Sequence, residues 1–361
     1  MDSEKKRYSE LDLYKGIGII LTVTAASGML SAKLQYRFDS ACFPMFMMAA
    51  GALWHKRGFK TDEKKVLSEG LVRDFMPFFW FSLIYLLIDA VMMFIKPDSY
   101  GLFKLYNDIW DSVSFRGIGV LGFMSAYFLA VCAYRIFRHN FGLLPICILL
   151  CIVAFCLTGI LYYKGYTGLY DAGNMDLGIA SYGMRMAHLL WRCSVGMFFC
   201  AFGEVFCLLA EKLKEKKLAN VLLSVLFIGT GIGLSFLIDR CDYTDMILDM
   251  PFITLPLSLA IGGGLLLLCN WIGTVRPIDF LGRHAIIIFL TFSGFGILKA
   301  ALALGDFVFE KTVNNFANRA SVCVAVLVME IVIICIFRLK VFSFLFGERD
   351  FSAAETEEDI L

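Results

Sequence analysis

The sequence predicts an all-α integral membrane protein: a bundle of about ten transmembrane helices with both termini in the cytoplasm. Hydrophobic residues fill 59% of the 361 positions and charged residues only 18%, with a mean hydropathy of +0.74. A soluble domain contains about 45–50% apolar and about 25% charged residues, so this chain carries more apolar surface than a soluble core can bury. The apolar residues also fall in long runs, and the basic residues collect on alternate loops.

Ten apolar runs approach the length of about 20 residues that a helix needs to cross a bilayer. They lie at 13–30, 40–54, 75–95, 117–134, 142–162, 187–210, 218–238, 250–271, 278–301 and 319–337. The first run lacks an A-x-A-like cleavage site, so we expect it to be retained and not removed as a signal peptide. The second run is short and is expected to extend into its flanks. All the runs are continuous, which favours helices over the alternating strands of a β-barrel.

The basic residues orient the bundle. With the N-terminus in the cytoplasm, about two thirds of the 33 Lys and Arg residues fall on the cytoplasmic side. An even number of spans returns the C-terminus to that side, and the opposite loops carry acids such as Asp98, Asp108 and Asp171. The net charge of +1 predicts no nucleic-acid partner. The expected partner is the lipid bilayer, around a multi-pass protein of the cell membrane.

The domain organisation is simple. No repeat or linker divides the chain, so residues 1–345 are expected to form one membrane domain and residues 346–361 a polar, acidic C-terminal tail. Most of the twelve cysteines fall inside predicted spans, where cysteine behaves as a small apolar residue. Cys241 alone falls in an outer loop and has no evident loop partner, so the sequence predicts no disulfide framework. No C-x-x-C pair indicates a metal site, and no bound cofactor is expected.

Four separated stretches share a family pattern. SELDLYKGIGIILTV contains an Asp-x-x-Lys-Gly opening, and FPMFMMAAGALW places Pro44 and an aromatic residue before the small pair Ala50 and Gly51. LVRDFMPFFWFSLIY places Arg73 shortly before Pro77, and DFLGRHAIIIFLTF starts a late helix with Gly-Arg. In order and spacing, over essentially the whole chain, these stretches resemble the membrane acyltransferase-3 family of O-acetyltransferase-like integral membrane proteins.

The resemblance implies an activity. Members of the family transfer an acyl group, usually acetyl, from the co-substrate acyl-CoA in the cytoplasm to a hydroxyl of a cell-surface glycan, peptidoglycan or related acceptor. It implies donor-binding cations at the cytoplasmic face, for which Lys15, Arg73 and Arg283 are the candidates. It also implies a first-helix histidine eleven positions after the basic residue, which would deprotonate the acceptor hydroxyl because imidazole titrates near pH 7.

This chain departs from the pattern at that histidine. Ala26 stands at the expected position, and Cys42 stands at a second position that carries histidine in the family. Eleven positions are about three turns and about 16 Å, so Lys15 and Ala26 share one helix face, and we expect Ala26 to face a cavity. Two hypotheses remain. The protein is either an acyltransferase with another base, such as His188 or Ser27, or a non-catalytic derivative that binds or transports a small polar molecule or lipid-linked sugar.

The positions of the other histidines decide which of them could act as a catalytic base. His55 and His139 are predicted to be solvated in cytoplasmic loops, and His284 to lie at the membrane interface at a helix start. His188, near the outer end of the sixth span, is therefore the one candidate for a catalytic imidazole near the membrane.

Ionisable residues inside predicted spans mark further candidates, because such residues are costly in lipid. Arg192 and Glu204, both in the sixth span, are the candidates for an acceptor cavity. Asp89 and Glu330 lie in other spans. We expect at least one of these acids to pair with Arg192 or to line a cavity.

Overall fold

The structure is a computed structural model that describes residues 8–27, 32–57, 75–95, 101–119, 121–163, 179–239, 241–243, 246–292, 295–312 and 315–346. Its described residues form thirteen α-helices. These are α1 (Ser9–Ala26), α2 (Ala32–Arg57), α3 (Met76–Ile95), α4 (Leu102–Val113), α5 (Leu121–Asn140), α6 (Leu143–Tyr163), α7 (Ile179–Lys212), α8 (Lys217–Ser235), α9 (Pro251–Ile272), α10 (Arg276–Arg283), α11 (Ala285–Thr291), α12 (Ile297–Thr312) and α13 (Asn315–Phe337). A two-stranded antiparallel hairpin, β1 (Cys241–Asp242) with β2 (Ile247–Leu248), joins α8 to α9, and a 3₁₀ helix (Lys340–Phe346) follows α13.

Seven helices in the described ranges are long and apolar enough to cross a membrane: α3, α5, α6, α7, α8, α9 and α13. They confirm the helical, multi-span class and coincide with seven of the ten predicted runs. The first run, 13–30, coincides with α1 as far as Ala26, and this helix carries Glu10, Asp12 and Lys15 near its start. The second lies in α2, which extends beyond the run on both sides, as expected.

The ninth predicted run, 278–301, is not one helix. It is divided among α10, α11 and the start of α12. His284 interrupts the first pair, and Gly296, with φ +74°, precedes α12. A positive φ is readily adopted by glycine and ends regular helix geometry, which apolar composition alone does not reveal.

The chain forms two compact units, and the first comprises residues 1–60, 133–171 and 194–285. Helix α1 lies at its centre: it contacts α2, α9 and α10, and each of its residues is at least partly buried. The Tyr14 hydroxyl donates a hydrogen bond of 3.0 Å to the carbonyl of Gly262 in α9. Gly16 and Gly282 allow α1 and α10 to touch, because a Cβ at either position would overlap the backbone of the other helix.

Helices α8 and α9 form the other close pair of this unit. Helix α9 starts at a proline, which suits the first turn of a helix, and ends before Gly273, whose φ is +85°. About three fifths of the apolar window of α9 is buried, against about a fifth for α8, as expected if α8 faces lipid.

The second unit comprises residues 61–132, 172–193 and 286–361. In it, α12 packs along α13, and α3 contacts α4 and the 3₁₀ helix. An aromatic cluster holds these elements together: the Phe81 ring lies 5.6 Å from the Phe346 ring, which lies 5.5 Å from the Phe337 ring. The opposite face of α3 is apolar and exposed, including Leu87 and Phe94, as a lipid-facing helix requires.

Candidate functional site

Two glycines bring α2 and α7 into backbone contact in the first unit. A Cβ at Gly51 would overlap the carbonyl oxygen of Cys200, and a Cβ at Gly203 would overlap the backbone of Met48. Small residues at such crossings let helix backbones approach closely. Beyond the crossing, the last turn of α2 lies beside the last turns of α7, and polar side chains meet there.

Glu204 is the buried centre of this polar group, which we call the Glu204 cluster (Tyr134, Arg138, Glu204, His55 and Glu211). Its carboxylate is fully buried and accepts a short hydrogen bond from the Tyr134 hydroxyl. The Arg138 guanidinium binds both carboxylate oxygens, with Nε 3.1 Å from Oε2 and Nη2 3.0 Å from Oε1. This fork geometry is the strongest form of ion pair between side chains. Glu204 is therefore a paired structural anion.

His55 joins the cluster from α2. Its Nδ1 lies 3.7 Å from Oε1 of Glu204, and its Nε2 lies 3.2 Å from Oε2 of Glu211. Only 17% of its side chain is exposed. The prediction that His55 is solvated in a loop is therefore wrong: α2 extends past it, and two carboxylates of α7 flank the ring. His139, in the last turn of α5, is exposed as predicted.

Cys207 lies beside His55 and Glu211. One ligand atom from each of these three residues lies within 4.8 Å of the others. Cys207 is buried, whereas Glu211 is about half exposed. Sequence reasoning missed this group because Cys207 and Glu211 are four positions apart on one helix, while His55 is distant in sequence.

Arg135 lies one turn before Arg138 on α5. The sequence gives no sign of a special role for it, because it is one of many basic residues near the predicted cytoplasmic ends of spans. Its side chain is 6% exposed, and its guanidinium carbon lies 5.2 Å from the centre of the Trp54 ring. Its Nε makes no hydrogen bond, and no acceptor or ion-pair partner for this side chain occurs among the residues that the structure describes. A buried cation without an anion is energetically costly.

The donor-site candidates have other surroundings. Lys15 is partly exposed and pairs with Asp12, with Nζ 2.7 Å from the carboxylate. Arg283 ends α10 directly after Gly282, the residue that packs on α1 at Asp12 and Gly16. The structure therefore places Lys15 and Arg283 on two helices in contact. Arg73 lies outside the described residues.

The end of α1 provides no base of the expected kind. Ala26 is the last residue of the helix and is partly exposed. The side chain of Ser27 is buried and donates a hydrogen bond of 2.9 Å to the carbonyl of Thr24. His284 is buried at the end of α10, with Nδ1 2.8 Å from the carbonyl of Phe280.

The remaining candidates lie in the second unit. His188 is 2% exposed, and its ring meets the Trp191 ring edge-on at 6.3 Å. The buried Arg192 donates hydrogen bonds to the carbonyls of Gly122 (3.0 Å) and Arg116 (2.9 Å). These bonds tie α7 to the first turn of α5 and to the segment before it, so Arg192 has a structural role in holding the backbone of these elements together.

The acids Asp89 and Glu330, which lie in predicted spans, contact residues other than Arg192. Asp89 lies 2.8 Å from the Lys104 ammonium of α4, and Glu330 accepts a hydrogen bond of 2.8 Å from Thr291. Lys104 also binds Asp108, at 2.8 Å. The pKa of Asp108 is raised to about 6, chiefly because the carboxyl is buried; the neighbouring Asp89 contributes to the rise, whereas Lys104 opposes it. These contacts fix the short helix α4 against α3.

Comparisons with known proteins returned no match: no family model fits this chain, and no curated protein matches it.

Proposed function

We propose that the protein is a multi-pass cell-membrane protein of the acyltransferase-3 type that binds acyl-CoA from the cytoplasm. In this proposal it transfers the acyl group to a hydroxyl of a cell-surface glycan or related acceptor. The resemblance of the four sequence stretches supports the reaction class. The buried guanidinium of Arg135, for which the described residues offer no ion-pair partner, is the structural observation that carries the proposal, because a buried cation is costly without an anion.

The proposed topology has about ten spans, with α1, α2 and the α10–α12 segment supplying those beyond the seven, and with both termini in the cytoplasm. Single cysteines replacing Arg57 and Lys214 are then labelled from the cytoplasmic side in oriented vesicles. A cysteine replacing Asp239 is labelled from the opposite side. Labelling of the first two positions from opposite sides would refute this topology.

Three other cations of the first unit are already held in ion pairs, so we assign the binding of the acyl-CoA donor to Arg135. Arg138 is bound to Glu204, Lys56 to Glu10 and Lys15 to Asp12. The phosphates of coenzyme A would provide the anion that Arg135 lacks among the residues described in the structure, and a guanidinium binds phosphate with two parallel hydrogen bonds. Arg135 lies in the last turns of α5, at the end of the helix that the charge bias assigns to the cytoplasm.

The reaction itself needs a base. The acceptor hydroxyl oxygen attacks the thioester carbonyl carbon, the carbon–sulfur bond breaks, and the hydroxyl proton passes to a base while coenzyme A leaves as thiolate and is then protonated. His188 is buried against Trp191, and Ser27 donates to its own helix. These surroundings favour a second candidate function, a non-catalytic derivative that retains the donor site and binds or transports a small polar molecule or lipid-linked sugar.

One experiment separates the two. The purified protein is reconstituted in vesicles with labelled acetyl-CoA and a glycan acceptor, and both coenzyme A release and acceptor labelling are measured. Transfer by the natural protein supports the acyltransferase, and its loss in His188→Gln identifies the base. Binding of acetyl-CoA without transfer supports the derivative. Absence of acetyl-CoA binding contradicts both.

For the derivative, Ala26→His restores a base at the family position. We expect a gain in transfer of about 10²–10⁴-fold over the natural protein, the usual contribution of general base catalysis. Ile20→His is the matched control, because it places a histidine on another face of the same helix, at another partly buried position. An equal gain in transfer in both variants would show that position 26 is not the position of the catalytic base.

A further inference from the structure

The end of α7 carries two metal-ligand side chains on one face. Cys207 and Glu211 are four residues apart, so they project from α7 one above the other. His55, in the last turn of α2, faces them, and the crossing of α2 and α7 at their glycines holds the two helix ends together. The three residues supply a thiolate, an imidazole nitrogen and a carboxylate, which are the ligand types that zinc uses.

The distances suit a metal ion. In a tetrahedral zinc site with bonds of about 2.0–2.3 Å, neighbouring ligand atoms are roughly 3.3–3.8 Å apart. One atom from each of His55, Cys207 and Glu211 lies within 4.8 Å of the others, and Nε2 of His55 is 3.2 Å from Glu211. The largest of these separations exceeds that of a zinc site by at most about an ångström, so metal binding would draw the three side chains slightly closer together.

The second nitrogen of His55 provides an independent indication. Histidine ligands of metals usually donate their other ring N–H to a carboxylate, a backbone carbonyl or a water molecule, which fixes the tautomer and orients the ring. Nδ1 of His55 faces the Glu204 carboxylate at 3.7 Å, while Nε2 faces the group containing Cys207 and Glu211. Glu204 is itself fixed by Arg138 and Tyr134. An ion pair between His55 and Glu211 alone does not require a thiol beside it or a second carboxylate at Nδ1. The presence of Cys207 and Glu204 at these places therefore favours a metal site.

We propose that His55, Cys207 and Glu211 bind a divalent metal ion of the zinc type, with Glu204 as the positioning residue for His55. The ion takes Nε2 of His55, the Cys207 thiolate and a Glu211 oxygen as ligands, and the Cys207 thiol releases its proton on binding. Three protein ligands leave a fourth position for water or for an oxygen or nitrogen atom of a small ligand. The site joins the ends of α2 and α7, and it does not depend on the proposed acyl transfer.

Cobalt(II) tests the proposal, since it replaces zinc and reports its ligands by absorption. The full-length protein in detergent is treated with a chelator, dialysed and titrated with CoCl₂ alone. We expect one equivalent to produce a thiolate-to-cobalt charge-transfer band together with intense visible bands of a tetrahedral ion, and one equivalent of Zn²⁺ to remove them. Absence of the thiolate band from the natural protein overturns the proposal.

Variants identify the ligands. Cys207→Ala is expected to abolish the thiolate band, whereas Cys200→Ala, which removes a buried thiol two turns earlier on the same helix, should leave it unchanged. Persistence of the band in Cys207→Ala, or its loss in Cys200→Ala, contradicts the assignment. Glu211→Gln and His139→Gln form a second pair at exposed positions where unfolding is not expected. The first should weaken Co²⁺ binding at least tenfold, and the second should not change it.

The positioning role of Glu204 has its own readout. Glu204→Gln removes the charge that orients His55 but leaves all three ligands, so we expect Co²⁺ affinity to fall about 10–100-fold with the thiolate band retained at saturation. Unchanged affinity would refute the positioning role. Loss of the thiolate band in a folded Glu204→Gln protein would refute it too, because the ligand set itself would then have changed.

Discussion

Arg135→Met separates a ligand-binding arginine from a structural one. The guanidinium is almost fully buried, and its one described contact is with the ring of Trp54. Methionine has a similar length, so the variant removes the charge and leaves little empty volume. Replacing a buried ion pair by apolar side chains of similar volume is often neutral or stabilises by about 1–4 kcal/mol, and we expect the same direction for a buried guanidinium that has no ion-pair partner among the described residues. Loss of the cation–π contact offsets about 0.5–2 kcal/mol of this.

Without ligand we therefore expect the free energy of unfolding to change by an amount between a loss of about 2 kcal/mol and a gain of about 3 kcal/mol. Binding of coenzyme A should change in the opposite direction. Hydrogen bonds to charged groups contribute about 1.5–3 kcal/mol, so the loss weakens binding by about 10- to 150-fold.

The measurements are thermal unfolding of the purified protein in detergent and calorimetric titration with coenzyme A. Arg276→Met is the control for a general loss of positive charge, because Arg276 is exposed at the start of α10. Arg138→Met is the control for a structural arginine: it leaves Glu204 buried without its cation and should destabilise the protein by about 3–5 kcal/mol. The donor-site proposal fails if Arg135→Met destabilises as Arg138→Met does, or if it binds coenzyme A with natural affinity.

Three further outcomes follow from packing and charge. Gly51→Ala forces a methyl group into a backbone carbonyl of α7 and should destabilise the protein by about 1–3 kcal/mol in thermal unfolding, whereas Gly229→Ala, which meets open space, should not. Tyr134→Phe removes the hydroxyl donor of the buried Glu204 and should cost about 1–3 kcal/mol, measured in the same way; an unchanged midpoint would mean that the short hydrogen bond adds nothing. The pKa of Asp108 is about 6 in the folded state, chiefly because of burial, and about 3.9 in the unfolded state. Between these two pH values the folded state binds more protons than the unfolded state. The free energy of unfolding therefore falls as the pH rises from about 4 to about 6. Asp108→Asn should flatten this fall in a pH series of unfolding midpoints, and an unaltered slope would assign the pH dependence elsewhere.

Helix positions followed from the sequence more readily than helix neighbours. Long apolar runs predict spans because any unpaired backbone group in lipid is costly, and seven of them are confirmed as helices able to cross. The division of 278–301 depends on a local backbone reversal at Gly296, and hydropathy averages over such a position. The extension of α2 beyond its apolar core was foreseen, but its consequence, the placement of His55 against α7, was not.

The candidate site depends on pairings between distant segments. Glu204 and Arg138 are 66 positions apart, and periodicity shows which face of a helix is polar but not which helix lies opposite. The sequence alone does not distinguish Arg135 from Arg138, since both are basic residues near the same end of one predicted span. Only the structure shows that Arg138 pairs with Glu204, whereas Arg135 has no ion-pair partner among the described residues. Lys15 and Arg283 lie on two touching helices, but a donor site built from them stays a prediction, and Arg73 lies outside the described residues.

The enclosed position of α1 has a consequence for how the chain is made. The ribosome delivers α1 long before α9 and α10, since the hydrogen-bond acceptor of Tyr14 is 248 residues away, in α9, and the groove for Gly16 is formed by α10. A nascent chain therefore holds α1, which bears charged residues near its start, while more than 200 further residues are made and before the helices that enclose it emerge. We expect chains that end before residue 251 to be targets for membrane quality control, and the last step of assembly to be the closing of α9 and α10 around the first helix.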